Sequence, residues 1–381
     1  MEKIKKQLAQ LKENNLYREI KDIEKIQGKY IYIKGEKYLD FSSSNYLGLR
    51  DNKEILLEAK NSLDKYGFGS GASRLVVGTC DLYQKLENKI SLLKKQEKTL
   101  FFNSGYDANI GIISSLYGKD DIIFCDKLNH ASIYDGIFLS GATLIRYKHN
   151  DMEDLEIKIL KYRSKYKEAL IVTDTIFSMD GDRADLLKLV ELKEKYSLKL
   201  MIDEAHGGGV LGTNGGGLGE ELDLLEKIDI NMGTFSKAYG GQGAYVASSE
   251  EIIAYLINTC RSLIYTTSLP PSIVAGNLKA MELSEKEKGR REKLEYLGTY
   301  LRKKLIENSY NIGKSTSHII PIIFKSNEEA LNLSAYLFEN GIIAPAIRKP
   351  TVIEPRLRIS IGALLDKEDI DFLLELLLKF K

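Results

Sequence analysis

Short apolar runs alternate with longer stretches of helical periodicity through the middle of this 381-residue chain. The runs have the length of ordinary β-strands. Segments between them, such as Met152–Glu168 and Ala184–Tyr196, have the apolar spacing of amphipathic helices. The strand candidates are Thr99–Asn103, Ile122–Cys125, Thr143–Tyr147, Leu170–Asp174, Leu200–Asp203, Ile228–Gly233 and Ala244–Ser248. This alternation predicts an α/β fold whose large domain holds a mostly parallel seven-stranded sheet with helices on both faces.

Two further segments flank this region. The first residues form a predicted amphipathic helix, followed by a hairpin with strands at Tyr30–Ile33 and Tyr38–Phe41 and a turn at residues 34–37. From residue 284 onward, a Lys- and Glu-rich helical stretch precedes short apolar runs, which predicts a smaller α+β carboxy-terminal domain. The expected domains are therefore 1–44, 45–283 and 284–381.

The composition excludes several classes of function. Lys and Arg number 55 against 54 Asp and Glu, so no basic field for nucleic acid is expected. Cys80, Cys125 and Cys260 are scattered without a paired motif, which fits a reducing compartment. The early residues lack the apolar stretch of a signal peptide, and no run reaches membrane-spanning length. We therefore expect a cytoplasmic protein that contacts neither nucleic acid nor membrane.

Polar side chains are concentrated just after the strand candidates. In sheets of parallel strands, ligands bind at the carboxyl ends of the strands, where the loops begin. The segments in question are Ser104–Tyr106, Asp126–His130, Asp174–Gly181, Asp203–His206 and Thr234–Lys237. We expect these side chains to form one site.

Their chemistry matches the needs of pyridoxal phosphate (PLP). The cofactor requires a lysine for its aldehyde, an acid that keeps its ring nitrogen protonated, and N–H and hydroxyl groups for its phosphate. Lys237 and Asp203 each follow a strand, with one helical crossover of sequence between them. Thr234 offers a hydroxyl, and Gly105 lies where a backbone has to approach an anion. Each residue alone is a weak signal, and their joint occurrence predicts a PLP site.

Longer motifs carry a resemblance to a known family. They are SNYLGL at residues 44–49, FSMDGD at 177–182, DEAHG at 203–207 and TFSKAYGG at 234–241. These motifs resemble the signatures of the α-oxoamine synthases, which are fold-type I PLP-dependent transferases. Members condense an amino acid with an acyl thioester and release carbon dioxide. The likeness extends from about Tyr38 to Gly362, nearly the whole chain.

The resemblance implies roles for individual cofactor-site residues. Lys237 resembles the Schiff-base lysine, Asp203 the partner of the pyridine nitrogen, and His130 the histidine that stacks on the ring. His206 and Ser178 resemble the ligands of the phenolic oxygen. The remaining cofactor contacts that the resemblance implies are Gly105, Tyr106, Thr234 and Thr267. In this family the threonine at the position of Thr267 reaches the phosphate of the neighbouring subunit, which implies a homodimer with shared active sites.

The resemblance also implies substrates. Residues 265–271 and 346–352 are most similar to family members that join L-alanine to a pimeloyl thioester, carried by CoA or a carrier protein, to give 8-amino-7-oxononanoate for biotin synthesis. Arg358 then grips the amino-acid carboxylate. Asn45, Thr351 and Arg18 are further candidate substrate contacts. Transfer of an acetyl group to glycine is the alternative reaction. Residues 69–76 resemble both the family members that use alanine and those that use glycine.

Other classes of protein explain the sequence less well. The glycines at 67, 69 and 71 follow a predicted helix, so they lack the strand–turn–helix context of a dinucleotide site. The four histidines are too far apart for a metal site. The glycine-rich stretch 207–219 is expected to be a flexible active-site loop. A non-catalytic binding protein with the same fold is a further alternative. Such a protein would not absorb at about 420 nm, the wavelength expected of the bound cofactor.

Overall fold

A computed structural model describes residues 1–380 of the chain. Its strands are β1 Lys25–Gln27, β2 Tyr30–Ile33, β3 Glu36–Asp40, β4 Lys98–Phe102, β5 Ile122–Asp126, β6 Thr143–Tyr147, β7 Ala169–Asp174, β8 Lys199–Asp203, β9 Ile230–Thr234, β10 Ala244–Ser248, β11 Ile319–Ile323, β12 Ile342–Ile343, β13 Ala346–Ile347 and β14 Arg356–Ser360. Its α-helices are α1 Glu2–Glu13, α2 Lys53–Tyr66, α3 Asp81–Lys94, α4 Gly105–Leu116, α5 Ala131–Ser140, α6 Met152–Tyr162, α7 Leu186–Tyr196, α8 Leu218–Glu221, α9 Glu250–Thr259, α10 Arg261–Ile264, α11 Pro271–Lys286, α12 Lys288–Glu307, α13 Asn327–Glu339 and α14 Lys367–Phe380. Short 3₁₀ turns lie at Arg163–Lys165 and Leu225–Lys227.

The chain divides into two compact units. The larger unit comprises residues 45–178 and 183–291, and the smaller unit comprises residues 1–44, 179–182 and 292–381. The smaller unit therefore joins segments from both ends of the sequence. Within the described residues, no helix combines the length and the apolar character needed to cross a bilayer.

A seven-stranded sheet forms the centre of the larger unit, in the order β4-β10-β9-β8-β7-β5-β6. Strands β9, β8, β7, β5 and β6 are parallel to one another. Strand β10 is antiparallel to both of its neighbours, so β4 has the same direction as the parallel strands. The predicted mostly parallel seven-stranded sheet is thus confirmed, and each strand lies within two residues of its predicted bounds.

The strands of this sheet form because they can bury both of their faces. Every residue of β5, β7 and β9 is buried, as expected for parallel strands covered on both sides. Apolar side chains such as Ile123 and Val172 are fully enclosed in one core cluster. Burial of a side chain of this size contributes about 1.5–3 kcal/mol. The ends of these strands are therefore held in place by a well-packed core.

The smaller unit contains two sheets, ordered β1-β2-β3-β12 and β11-β14-β13. The predicted hairpin is present as β2 and β3, but its turn is shorter than expected. Lys34 and Gly35 alone form it, with φ of 52° and 78°. Positive φ at both central residues is typical of the two-residue turns that match strand twist, which is why β3 begins at Glu36 rather than at Tyr38.

Candidate active site

The carboxyl ends of the aligned strands in the larger unit open on one cavity. Because β4, β5, β7, β8 and β9 have the same direction, the loops that follow them meet at one edge of the sheet. The cavity is lined by Gly105, Tyr106, Asn109, His130, Ser132, Asp174, Ile176, Ser178, Asp203, Ala205, His206, Met232, Thr234, Ser236 and Lys237. All of these residues belong to the larger unit. Side chains separated by more than 130 residues of sequence therefore share one chamber.

Lys237 lies in the turn after β9 and contacts an imidazole. Its Nζ is 2.6 Å from Nε2 of His206, and Nδ1 of His206 is 2.7 Å from the hydroxyl of Tyr46. If the Lys237 ammonium donates to Nε2, then Nδ1 carries the proton and donates to the Tyr46 oxygen. This chain of hydrogen bonds holds the lysine amine inside the cavity.

Asp203 is held by two hydrogen bonds at the end of β8. Its Oδ2 accepts from Nδ2 of Asn109 at 2.9 Å, and its Oδ1 accepts from the backbone N–H of Ala205 at 2.8 Å. Nδ2 of Asn109 also donates to the hydroxyl of Ser132 at 2.9 Å. Two donors on one buried carboxylate favour its ionised form. Asp203 is therefore a fixed negative charge that can face a cationic ring nitrogen.

His130 caps the first turn of α5 from the cavity wall. Its Nδ1 lies 2.7 Å from the Ser132 hydroxyl and accepts from the Ser132 N–H at 3.3 Å. Burial lowers the pKa of His130, and the positive charge of Lys237 lowers it further, against the opposing effect of Asp203. The ring is consequently neutral near pH 7 and can lie flat on an aromatic ligand without adding charge.

An anion cradle lies at the start of α4. The N–H groups of Gly105 and Tyr106 begin the helix, where no earlier helical carbonyl can accept them. The hydroxyls of Thr234 and Ser236 lie 2.7 Å apart on the same cavity wall. N–H groups, the helix dipole and hydroxyls together suit a phosphate dianion.

These groups fit a phosphorylated pyridine aldehyde. The cradle suits its phosphate, the doubly hydrogen-bonded carboxylate of Asp203 suits its ring nitrogen, and the amine of Lys237 suits its aldehyde. When bound, pyridoxal phosphate supplies an electron sink that stabilises a carbanion next to an amino group. The fold and the cavity together define a fold-type I PLP-dependent transferase.

Comparison with known proteins agrees with this class. The chain belongs to the aminotransferase class I and II family, which it matches over residues 36–377. A protein of Bacillus cereus (strain Q1) named "Putative 8-amino-7-oxononanoate synthase" is 50% identical over 349 residues, covering 92% of this chain and 88% of the relative. A protein of Acetivibrio thermocellus with the same name is 44% identical, covering 98% and 96%.

Solved structures place the chain among the α-oxoamine synthases. A variant of serine palmitoyltransferase from S. paucimobilis matches with a TM-score of 0.93 at 28% identity, covering 98% of this chain and 95% of that one. 8-Amino-7-oxononanoate synthase from Francisella tularensis matches with a TM-score of 0.80 at 34% identity, covering 90% and 97%. The chain is accordingly a PLP-dependent acyltransferase, and its cofactor is pyridoxal phosphate.

Most of the predicted cofactor residues line the cavity, but one predicted cofactor residue and one predicted substrate residue do not. Thr267 does not line the cavity, and its carbonyl accepts from Nδ2 of Asn103 at 2.7 Å. Asn45 also lies outside the lining. Its Oδ1 accepts from the N–H groups of Leu49 and Arg50 at 3.0 and 3.2 Å, so its side chain shapes a turn. The roles predicted for these two residues stay predictions.

The remaining substrate candidates lie in the smaller unit. Nη2 of Arg18 donates to Oγ1 of Thr351 at 3.0 Å. Arg358 is buried in β14, where its Nη1 donates to the Ser360 hydroxyl at 2.8 Å. Arg18 and Thr351 are thus neighbours although they are 333 positions apart in the sequence.

The glycine-rich stretch is tied down, so the expectation of a flexible loop is wrong. The buried Glu204 carboxylate accepts from the Gly219 N–H at 3.1 Å. Glu220 accepts from the Gly216 N–H at 2.6 Å, and the fully buried Lys94 donates to the Gly216 carbonyl at 2.7 Å. The glycines allow this backbone to approach two carboxylates, and a run of glycines in the sequence does not reveal such partners.

Sequence reasoning missed several lining residues. Asn109 lines the cavity, and Tyr46 contacts the lining residue His206 from outside it. The contacts of Asn109 with Asp203 and of Tyr46 with His206 depend on elements distant in sequence. Asp174 lies in a segment that was expected to form the site, but no role was assigned to it. It ends its strand and lines the cavity as Asp203 does.

Proposed function

We propose that this enzyme condenses L-alanine with a pimeloyl thioester to give 8-amino-7-oxononanoate, carbon dioxide and a free thiol in biotin synthesis. The relatives of 44–50% identity that carry this name cover nearly the whole chain and support the proposal. The observation that carries it is the joint placement of Lys237, Asp203, His130 and His206 around one cavity. These are the groups that a PLP-dependent carbon–carbon condensation needs.

Four side chains of the cavity have distinct roles in the proposed reaction. Lys237 would hold the cofactor through Nζ, and the same amine can take the proton from the α-carbon of the amino acid. His206 lies 2.6 Å from the lysine amine and can steady it and share its proton. Asp203 keeps the ring nitrogen protonated. His130, neutral and against the cavity, covers the ring and donates to negative charge that develops on the thioester oxygen.

A basic cavity in the smaller unit supports recognition of an acidic acyl donor. Its lining includes three cationic side chains, those of Arg18, Arg348 and Lys349, together with Thr351. Within this lining there is no acid. A pimeloyl chain ends in a carboxylate, and its carrier group holds phosphate, so both ends of such a donor are anionic. We propose that Arg18 and Thr351 contact the donor, and that Arg358 binds the carboxylate of the amino acid.

Exposed apolar side chains support a homodimer. Phe68, Val76, Val77 and Tyr265 are 90%, 72%, 76% and 72% exposed. The two segments that carry these side chains adjoin, because the Ser268 hydroxyl lies within hydrogen-bond distance of the Ala72 and Gly78 carbonyls, and a contiguous exposed apolar patch marks an interaction surface. Because Tyr265 lies two residues before Thr267, we propose that a second copy covers this region and that Thr267 reaches the partner's phosphate cradle. A Val76→Lys, Val77→Lys variant should then be monomeric in light scattering and lose turnover.

Product identification tests the reaction. Purified enzyme with PLP is incubated with L-alanine and pimeloyl-CoA, with glycine and acetyl-CoA, and with L-serine and palmitoyl-CoA, and the products are identified by mass spectrometry. Release of 8-amino-7-oxononanoate at the highest kcat/KM supports the proposal. The serine pair is included because serine palmitoyltransferase is a structural neighbour. Preference for glycine with acetyl-CoA, the alternative, or for serine with palmitoyl-CoA would overturn it.

Matched variants test the basic cavity. Arg18→Gln and Thr351→Val should raise KM for pimeloyl-CoA while leaving KM for alanine unchanged, because the two residues contact only the donor. Arg163→Gln is a control, since this arginine donates to the carbonyls of Tyr166 and Lys167 in the larger unit. Equal effects on both KM values would contradict the assignment of Arg18 and Thr351 to the acyl donor.

A further inference from the structure

Two carboxyl groups face the cavity from neighbouring strands. Asp174 ends β7 and Asp203 ends β8, and the two residues are direct partners in the parallel register. Both are buried, with 4% of each residue exposed, and both line the cavity. Asp174 has no part in the roles proposed above.

The hydrogen bonds of the two acids differ. Both oxygens of Asp203 accept from fixed donors, the Asn109 amide and the Ala205 N–H. The backbone N–H of His130 lies close enough to the Asp174 carboxyl to oppose the rise of its pKa. Oδ1 of Asp174 is buried and has no hydrogen-bond partner within residues 1–380. A buried carboxylate oxygen without a hydrogen-bond partner is rare and costly, so this geometry favours the neutral form of the acid.

The surrounding charges oppose ionisation of Asp174. Burial raises its pKa most, and the negative charges of Asp203 and then Asp126 raise it further. Lys237 and the N–H of His130 act in the other direction, and the balance leaves the pKa well above the usual range for aspartate. Two neighbouring carboxyls in a cavity do not both ionise readily. Asp203 has two fixed hydrogen-bond donors, whereas Oδ1 of Asp174 has none.

We infer that Asp174 is a further cofactor-binding residue, which is present as the neutral carboxylic acid and donates a hydrogen bond from its carboxyl group to an acceptor atom of bound pyridoxal phosphate. The O–H of the neutral acid is then available to a ligand in the cavity that the residue lines. The cavity carries one negative charge on its carboxyl pair instead of two. The inference concerns the cofactor alone, so it does not depend on which amino acid or thioester reacts.

Asparagine reproduces the pattern of a neutral acid. Its side chain is neutral, and its NH₂ group can donate into the cavity. Alanine is also neutral but offers no donor. The pair Asp174→Asn and Asp174→Ala therefore separates the need for a donor from the need for a charge, and Asp203→Asn shows the effect of removing a charge that the cofactor does need.

Cofactor titration of the apo-enzymes tests the inference. The dissociation constant of pyridoxal phosphate is measured at pH 7 from the absorbance of the bound form. Asp174→Asn should bind within about twofold of the natural enzyme, and Asp174→Ala about 3- to 10-fold more weakly, as expected for loss of one neutral hydrogen bond. An Asn variant as weak as Asp203→Asn would show that Asp174 works as an anion. An Ala variant of natural affinity would show that it makes no contact. Either result overturns the inference.

Unfolding of the apo-enzymes tests the protonation state without cofactor. An acid whose pKa is raised in the folded state contributes stability at low pH, and this contribution is lost as the pH rises through the folded pKa. Between about pH 5 and pH 8, the natural apo-enzyme should therefore lose unfolding free energy relative to Asp174→Asn. The same pH dependence in both proteins would overturn the inference, whether or not the Ala variant folds.

Discussion

Replacing Asp203 by asparagine isolates the negative charge at the end of β8. The side chain keeps its shape, but its two fixed donors, the Asn109 amide at 2.9 Å and the Ala205 N–H at 2.8 Å, now face only one acceptor oxygen. The cofactor's ring nitrogen loses a charged partner and gains at best a neutral one. We expect the variant to fold and to bind pyridoxal phosphate more weakly.

The size of the effect follows from the kind of hydrogen bond that is lost. A hydrogen bond to a charged group contributes about 1.5–3 kcal/mol, and a neutral one about 0.5–1.5 kcal/mol. The difference, about 1–2 kcal/mol, corresponds to roughly 5- to 30-fold in the dissociation constant. Turnover should fall further, by about 10²–10³, because stabilisation of the developing carbanion depends on the protonated ring.

The assay is titration of the apo-protein with pyridoxal phosphate, followed by kcat at saturating cofactor. Asp126→Asn is the matched control, because Asp126 ends β5, is buried and accepts from the Leu128 and Asn150 N–H groups outside the cavity. The control should lose stability but keep its cofactor affinity. An Asp203→Asn protein with natural affinity and kcat, or an equal loss in the control, would refute the reasoning.

Other changes should give distinct results. Lys237→Ala should lack the cofactor absorbance near ~420 nm and form no product, and turnover in that variant would contradict its role. Tyr46→Phe removes the hydroxyl that holds the imidazole beside Lys237, so kcat should fall about 3- to 10-fold in a steady-state assay while the fold is kept. The depressed pKa of His130 means that its ring stays neutral to more acidic pH than a free histidine, and an NMR titration of the imidazole should show a midpoint below the ordinary histidine pKa of 6.5. Gly217→Ala places a Cβ 2.4 Å from a buried carboxylate at φ of 91° and should lower the free energy of unfolding by more than about 2 kcal/mol, whereas Gly118→Ala, which meets nothing within 4 Å, should not.

Much of the larger sheet could be predicted because its strands are buried on both faces. A strand such as β7, buried at every residue, has to be apolar throughout, and this leaves a clear run in the sequence. The carboxyl ends of such strands are also visible, because each run stops at a polar residue. The positions of Asp203 and of the turn before Lys237 follow from this pattern, and the family motifs added the chemistry.

Contacts between distant segments could not be predicted in the same way. We expected a longer turn in the first hairpin. The two-residue turn requires positive φ at both Lys34 and Gly35, and a lysine in the sequence does not indicate positive φ. The glycine-rich stretch was expected to be mobile, since its partners Glu204 and Lys94 lie in other segments. Periodicity describes one element at a time, and it carries no information on which side chains of other elements will fill the space beside it.

By itself, the sequence determined the order of strands and helices, the edge of the sheet where chemistry occurs, and the lysine and acid that serve the cofactor. The reason is that burial and strand direction act locally, through the apolar pattern and the residue that ends it. Only the tertiary structure decided that Asn109 orients Asp203, that Tyr46 supports His206, and that Asp174 presents a second carboxyl. Those pairings exist because packing brings together residues that no local rule connects.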